Sequence, residues 1–200
     1  MNFDFLEQAK CPLQWMNDIY VDMAHTLAEA EQVYWGQPRQ CGILLRSVAE
    51  QICRVYNRQY EVGFPGEARL ETFLSYTEEE SHNVLVSRFL SVVRKEQRDR
   101  LILLRVLGDD CLAGEGIENR QEFDNRMAGN AKRMMNAAFD SLRMMCQKIN
   151  HLDGLEELRF SDQILPAPTE QDQQPTDRRE SVFARLFGRG REERDHLRSI

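Results

Sequence analysis

The chain has 200 residues, 42% hydrophobic and 30% charged, the size and balance of one ordinary domain, and this excludes a second full catalytic domain. Acids outnumber bases 33 to 26, a net charge of −7, so no global positive field draws in nucleic acid and any such contact has to be local. No apolar run reaches the ~18 residues of a membrane span, and Met1–Lys10 lacks the basic start and apolar stretch of a signal peptide, so a cytoplasmic chain with no membrane partner is expected.

Prolines and glycines fall mainly where helical periodicity also breaks, and period-two alternation is nowhere sustained. These features predict an all-α, up-and-down bundle of about five helices over residues 1–165. The first helix is expected to open at Pro12, which a first turn tolerates, and to run through Trp15, Ile19, Met23, Leu27, Ala30 and Tyr34 before stopping at Trp35-Gly36-Gln37-Pro38. The second starts at or just after Pro38 and carries Cys41, Leu44, Leu45, Val48, Ile52, Val55 and Tyr56 on one side. Arg46, Glu50 and Arg54 on this helix are spaced for ion pairs one turn apart.

A short helix over about Glu67–Tyr76 presents Leu70, Phe73 and Leu74, and Thr77-Glu78-Glu79-Glu80 reads as the capped start of the next. Val84, Leu85, Phe89, Leu90, Val92 and Val93 form its apolar face; the charged run Arg94–Arg100 either continues or interrupts it before burial restarts at Leu101–Leu104. Gly108-Asp109-Asp110 and Ala113-Gly114-Glu115-Gly116 are expected to bracket a turn. A long helix from Glu118 to about His151 follows, its seam including Phe123, Met127, Met134, Leu142, Met145 and Ile149. The spacing is close to a heptad, so Met127, Met134, Leu142 and Met145 read as a core or, across two copies, a homodimer seam.

From Pro166 the composition shifts to a polar linker with three acids and no base, predicted disordered, which ends at an arginine-rich segment from Arg178. There Val182, Phe183, Leu186 and Phe187, among seven arginines and four acids, mark a short amphipathic helix that could dock on a protein partner.

Five cysteines, Cys11, Cys41, Cys53, Cys111 and Cys146, form no C-x-x-C pair or Cys/His cluster, so reduced thiols rather than a disulfide framework or zinc site are expected. Phosphate-cradling glycine loops, zinc-protease and nucleophile-elbow motifs are missing, and no cofactor is expected. Asp109-Asp110 offers adjacent carboxylates without a metal-ligand motif around them.

The stretch Ala28-Glu29-Ala30-Glu31-Gln32-Val33-Tyr34-Trp35, followed after Pro38 by Leu44-Leu45-Arg46-Ser47-Val48-Ala49-Glu50-Gln51-Ile52-Cys53, resembles the opening helix pair of a branch of the HEPN superfamily. That branch occurs alone or fused to motor subunits of type I restriction enzymes. Leu103-Leu104-Arg105-Val106-Leu107-Gly108-Asp109-Asp110-Cys111-Leu112-Ala113 resembles its second signature, and the likeness spans about residues 28–150. The resemblance implies a HEPN-like bundle.

HEPN ribonucleases pair two Arg-to-His motifs across a dimer and cleave RNA without metal, with the imidazole handling the 2′-hydroxyl proton and the guanidinium stabilising phosphorane charge. On this register the two positions hold Val106 and Ala113, which can do neither, while Arg105 is displaced by one place and Asp109 stands where the pattern has an amide. The implied function is a non-catalytic interaction or regulatory module of a bacterial defence, toxin–antitoxin or mobile-element system. A metal-independent endoribonuclease toxin would have to use Arg105 or Arg143 with His151, and a third reading is an adaptor that docks a larger enzyme through its tail.

Overall fold

The computed structural model describes residues 2–9, 13–74, 83–113 and 119–166. The chain divides into two units, Met1–Ala167 and Pro168–Ile200; the second, with Val182, Phe183, Leu186 and Phe187, lies outside the described residues, as does Cys11. Six α-helices and no strand occur among the described residues: α1 (Gln14–Val33), α2 (Pro38–Gln59), α3 (Leu70–Phe73), α4 (Val84–Val92), α5 (Lys95–Ala113) and α6 (Arg120–Ile149). The protein is all-α.

Local chemistry sets most of these ends. Pro38 occupies the first turn of α2, where its missing N–H goes unneeded. Asn119 caps α6 by accepting from the Glu122 N–H at 2.9 Å, and Asn83 caps α4 by accepting from the Leu85 N–H at 2.9 Å. The charged run Arg94–Arg100 interrupts rather than continues: Val93 turns extended after α4, and α5 starts at Lys95. The cap expected at Thr77 lies outside the described residues.

Three boundaries depart from expectation. The helix expected over Glu67–Tyr76 is a single turn, α3. The turn expected at Gly108-Asp109-Asp110 is instead helical interior of α5, with Gly108 buried. The long helix ends at Ile149, and His151 stands beyond it in the left-handed region at φ 54°.

Helix α2 is the hub, packing on α1, α5 and α6. Gly42 facing both Cys111 and Met134, with Tyr56 bonded to Gln97, shows that α2 runs antiparallel to α5. The pairs Gly42–Met134 and Tyr56–Lys148 share one offset along the chain, which makes α2 and α6 parallel. Close to α6, residues 2–5 and 160–161 fill the side next to α1: Phe3, Phe5 and Phe160 gather round Phe139, and Asn2 ties Glu31 to the Ser161 carbonyl.

The methionine seam is spent inside this core. Met127, Met134, Leu142 and Met145 are at most 1% exposed within a single chain, so the expected dimer seam is corrected to an intramolecular one, α6 burying that stripe against α2 and α5. Fully burying a side chain of this size contributes about 1.5–3 kcal/mol, and separating the helices to offer the stripe to a second copy would forfeit that. Cys41, Cys53, Cys111 and Cys146 are buried and unbridged.

Candidate functional site

The two stretches that carry the family resemblance meet in space. Arg46, in the third turn of α2, reaches across to α5, where its Nε donates to Asp109 Oδ1 at 2.9 Å; its Nη2 donates to Glu71 Oε1 at α3. Asp109 Oδ2 lies 3.7 Å from Arg105 Nε, one turn back on α5, and Arg105 Nη1 donates to the Leu74 carbonyl at 2.8 Å. One carboxylate thus faces two guanidiniums, and a second carboxylate closes on Arg46. The bulk is arranged inside out: both arginine side chains are 15% exposed, whereas Asp109 is 45% and Glu71 42%.

The expected ladder on α2 forms only in its second half. Glu50 Oε1 accepts from Arg54 Nη2 at 2.6 Å, while Oε2 accepts from the Leu70 N–H at 3.2 Å and so anchors the start of α3. Arg46 turns instead to Glu71 and Asp109. Such charge-assisted bonds are stronger than neutral ones and, partly shielded from water, fix geometry well. The cluster clamps α2, α3 and α5 together.

Gly108 permits it. A β-carbon there would lie 2.6 Å from Arg46 Cβ and 2.8 Å from Cγ and Cδ, so only glycine lets the arginine stem cross α5 to reach Asp109.

The adjacent carboxylates divide between helices. Asp110 accepts from Asn130 Nδ2 at 2.7 Å and faces Arg126 at 3.6 Å, both on α6, while Asp109 faces α2. No group of three or more His, Cys, Asp or Glu suited to a metal occurs among the described residues.

The alternative catalytic residues have other surroundings. Arg143 lies against Asp140 Oδ1 at 3.5 Å and the Leu155 carbonyl at 3.4 Å. His151, expected two turns along the same helix, stands past its end, exposed and without a hydrogen bond to Arg143 or Arg105. His25, the other described histidine, is exposed on α1. Among the described residues the Arg46–Asp109–Arg105 cluster has no imidazole.

An open cleft of about 660 Å³ lies between α5 and α6, lined by Glu96, Asp99, Leu103, Lys132 and Arg133; an ion pair from Arg100 Nε to Asp140 Oδ2 at 2.9 Å joins two more of its lining residues. Its charges are mixed and largely paired. The sequence reading missed Glu71 and the Leu74 carbonyl, which come from a one-turn helix with no motif of its own, and it took Asp109 for a turn residue.

No helix among the described residues is long and apolar enough to cross a membrane. The chain matches no family model, no curated protein and no solved structure.

Proposed function

We propose that this chain is a non-catalytic, HEPN-like interaction or regulatory module, working in the cytoplasm as part of a bacterial defence, toxin–antitoxin or mobile-element system. The resemblance of Arg46–Glu50 and Leu103–Ala113 to the signatures of that branch suggests the setting. One observation carries the word non-catalytic: Asp109 engages both Arg46 and Arg105, where metal-free RNA cleavage needs a guanidinium open to the phosphate and an imidazole beside it. An arginine neutralised by a carboxylate in a shielded site has little charge left for a phosphorane.

Self-association belongs to the same proposal, but on another face. With the methionine stripe buried, a second copy has to use exposed apolar residues such as Val84, Ile164, Val21 or Val106, which are 70%, 59%, 54% and 47% exposed. Light scattering across micromolar concentrations tests it, and a monomeric mass throughout rejects it.

The test of function is incubation of the purified full chain with total RNA in EDTA. The expected result is intact RNA at high protein concentration. Cleavage that disappears in His151→Ala or Arg105→Gln would overturn the proposal and establish the ribonuclease reading.

A further inference from the structure

The pole where α2 ends collects aromatic rings and cations from four parts of the chain. The Arg58 guanidinium sits over the Trp15 ring, 4.4 Å from its centroid. Two residues on, Tyr60 stacks on Tyr56 with ring centroids 5.8 Å apart and planes inclined by 15°. Lys148 of α6 lies 5.1 Å from the Tyr60 centroid and 5.8 Å from that of Tyr56, and donates to the Val92 carbonyl at the end of α4. The bond to Val92 brings Lys148 to within two residues of exposed Arg94, and burial, then Arg94, hold the Lys148 ammonium below its ordinary range. Exposed Arg88 donates to the Val62 carbonyl at 3.4 Å on the loop that leaves α2.

Between α1 and the end of α2 runs an open cleft of about 550 Å³. Its lining contributes Arg54, Arg58 and Asn57 against a single acid, Glu61, together with Ile19 and Phe64. Arg54 is already held by Glu50, so the cations this pole presents are the exposed Arg58, Arg88 and Arg94, beside Trp15 under Arg58 and beside Tyr60, which is 36% exposed.

We propose that this pole, from Trp15 and Arg58 across Tyr60 to Lys148 and Arg94, binds single-stranded nucleic acid. Alternating ring and cation is the chemistry such a strand needs, because bases stack on aromatic faces and phosphates meet Arg or Lys between them. A peptide-helix groove would offer a row of aliphatic sockets, and a duplex would want cations alone. The pole shares no residue with the Arg46–Asp109–Arg105 cluster, so it stands or falls apart from the non-catalytic reading.

The experiment is fluorescence anisotropy of the full chain with fluorescein-labelled oligouridine and, in parallel, oligothymidine, with a duplex of equal length as the third arm. Binding of both single strands, weakening with salt as phosphate contacts require, is expected, and tighter oligouridine binding assigns RNA as the preferred strand. Arg58→Gln with Arg94→Gln, and separately Tyr60→Leu, should each weaken binding about tenfold, whereas Arg133→Gln in the α5–α6 cleft should leave it unchanged. Thermal melts of the variants establish that they remain folded. Absence of binding, equal affinity for the duplex, or binding that persists undiminished in folded Arg58→Gln/Arg94→Gln overturns the proposal; in the last case the arginines beyond Arg178 are the contact.

Discussion

Arg46 crosses Gly108 so closely that a β-carbon on the glycine would meet three carbons of the arginine stem at 2.6 to 2.8 Å. The contact sits at the crossing of α2 and α5, where Arg46 must pass to reach Asp109. Replacing a helical glycine by alanine ordinarily gains up to ~1 kcal/mol, but here the methyl collides with a held side chain. Gly108→Ala is expected to destabilise by about 1–3 kcal/mol through overpacking. Gly129, exposed in α6 with nothing within 4 Å of its β position, provides the contrast: Gly129→Ala should stabilise by roughly 0.5–1 kcal/mol. Urea denaturation checks the pair, and equal signs for the two variants would refute this account of Gly108.

Asp109 is the next link to test. Asp109→Asn keeps the shape but removes the charge that faces both Arg46 and Arg105, so two shielded guanidiniums lose a counter-charge at once. Because Asp109 itself is nearly half exposed, the expected cost is about 1–2 kcal/mol rather than the larger penalty of a fully buried pair. Asp99, 3.9 Å from Arg98 and 60% exposed, is a surface pair, and Asp99→Asn should cost less than ~0.5 kcal/mol. Chemical denaturation of the two variants decides, and a cost at Asp109 no greater than at Asp99 would mean that the cluster clamps nothing.

A buried polar relay joins three helices elsewhere. The Tyr56 hydroxyl donates to Gln97 Oε1 at 2.6 Å and Gln97 Nε2 donates to the Ser141 carbonyl at 2.9 Å, with Gln97 fully buried. Tyr56→Phe strands an acceptor in the core and should cost about 1–3 kcal/mol. Adding Gln97→Met to Tyr56→Phe should cost less than the sum of the two single changes, because the second removes the group the first left unpaired. Strict additivity in a double-mutant cycle would sever the relay.

The sequence pattern was enough for the parts of this fold that local rules govern. Pro38 marked the start of α2 and the apolar period through Tyr56 its buried face, and the stripe from Phe123 to Met145 marked that of α6. Gly108-Asp109-Asp110 misled because a glycine followed by two acids is turn chemistry. Its glycine answers instead to Arg46, 62 positions away in the chain, a tertiary demand that no local window contains. The same holds for Glu71, whose partner Arg46 lies one helix earlier, and for the pole, where Trp15 meets Arg58 and Tyr60 meets Lys148 only after α1, α2 and α6 have packed. The methionine stripe shows the converse limit: its spacing identified an apolar seam, but α2 and α5, rather than a second copy, cover it.

Met134 turns that correction into a measurement. Fully buried and 3.3 Å from the β position of Gly42, it packs between α6 and α2, and Met134→Ala should cost about 2–5 kcal/mol. Its mass by light scattering, under conditions where the variant remains folded, should equal that of the unaltered chain. A mass that falls from dimer to monomer would return the stripe to the interface from which its burial removes it.

Alkaline pH should unfold the protein through its thiols. Burial pushes Cys111 up to about 11, with Asp110 adding to the shift, and burial alone pushes Cys146 up to about 12; burial raises Cys41 and Cys53 as well. In the unfolded chain these groups ionise near pH ~8.5, whereas in the fold they keep their protons. Folded pKa values above unfolded ones mean that the contribution is complete below about pH 8.5 and is lost as pH rises toward 11–12. Each thiol removes about 1.4 kcal/mol per pH unit in that window. Lys148, whose charge the fold disfavours, acts in the opposite sense, but it is one group against four thiols and against Tyr34, Tyr56 and Tyr60, which burial also raises. The urea midpoint should therefore fall continuously above about pH 9, and Cys111→Ala should make the fall shallower despite lowering the starting stability. A midpoint level between about pH 8 and about pH 10.5 would show that the thiols ionise as freely in the fold as outside it, and that the packing of Cys111 against Gly42 does not shield its sulfur from water.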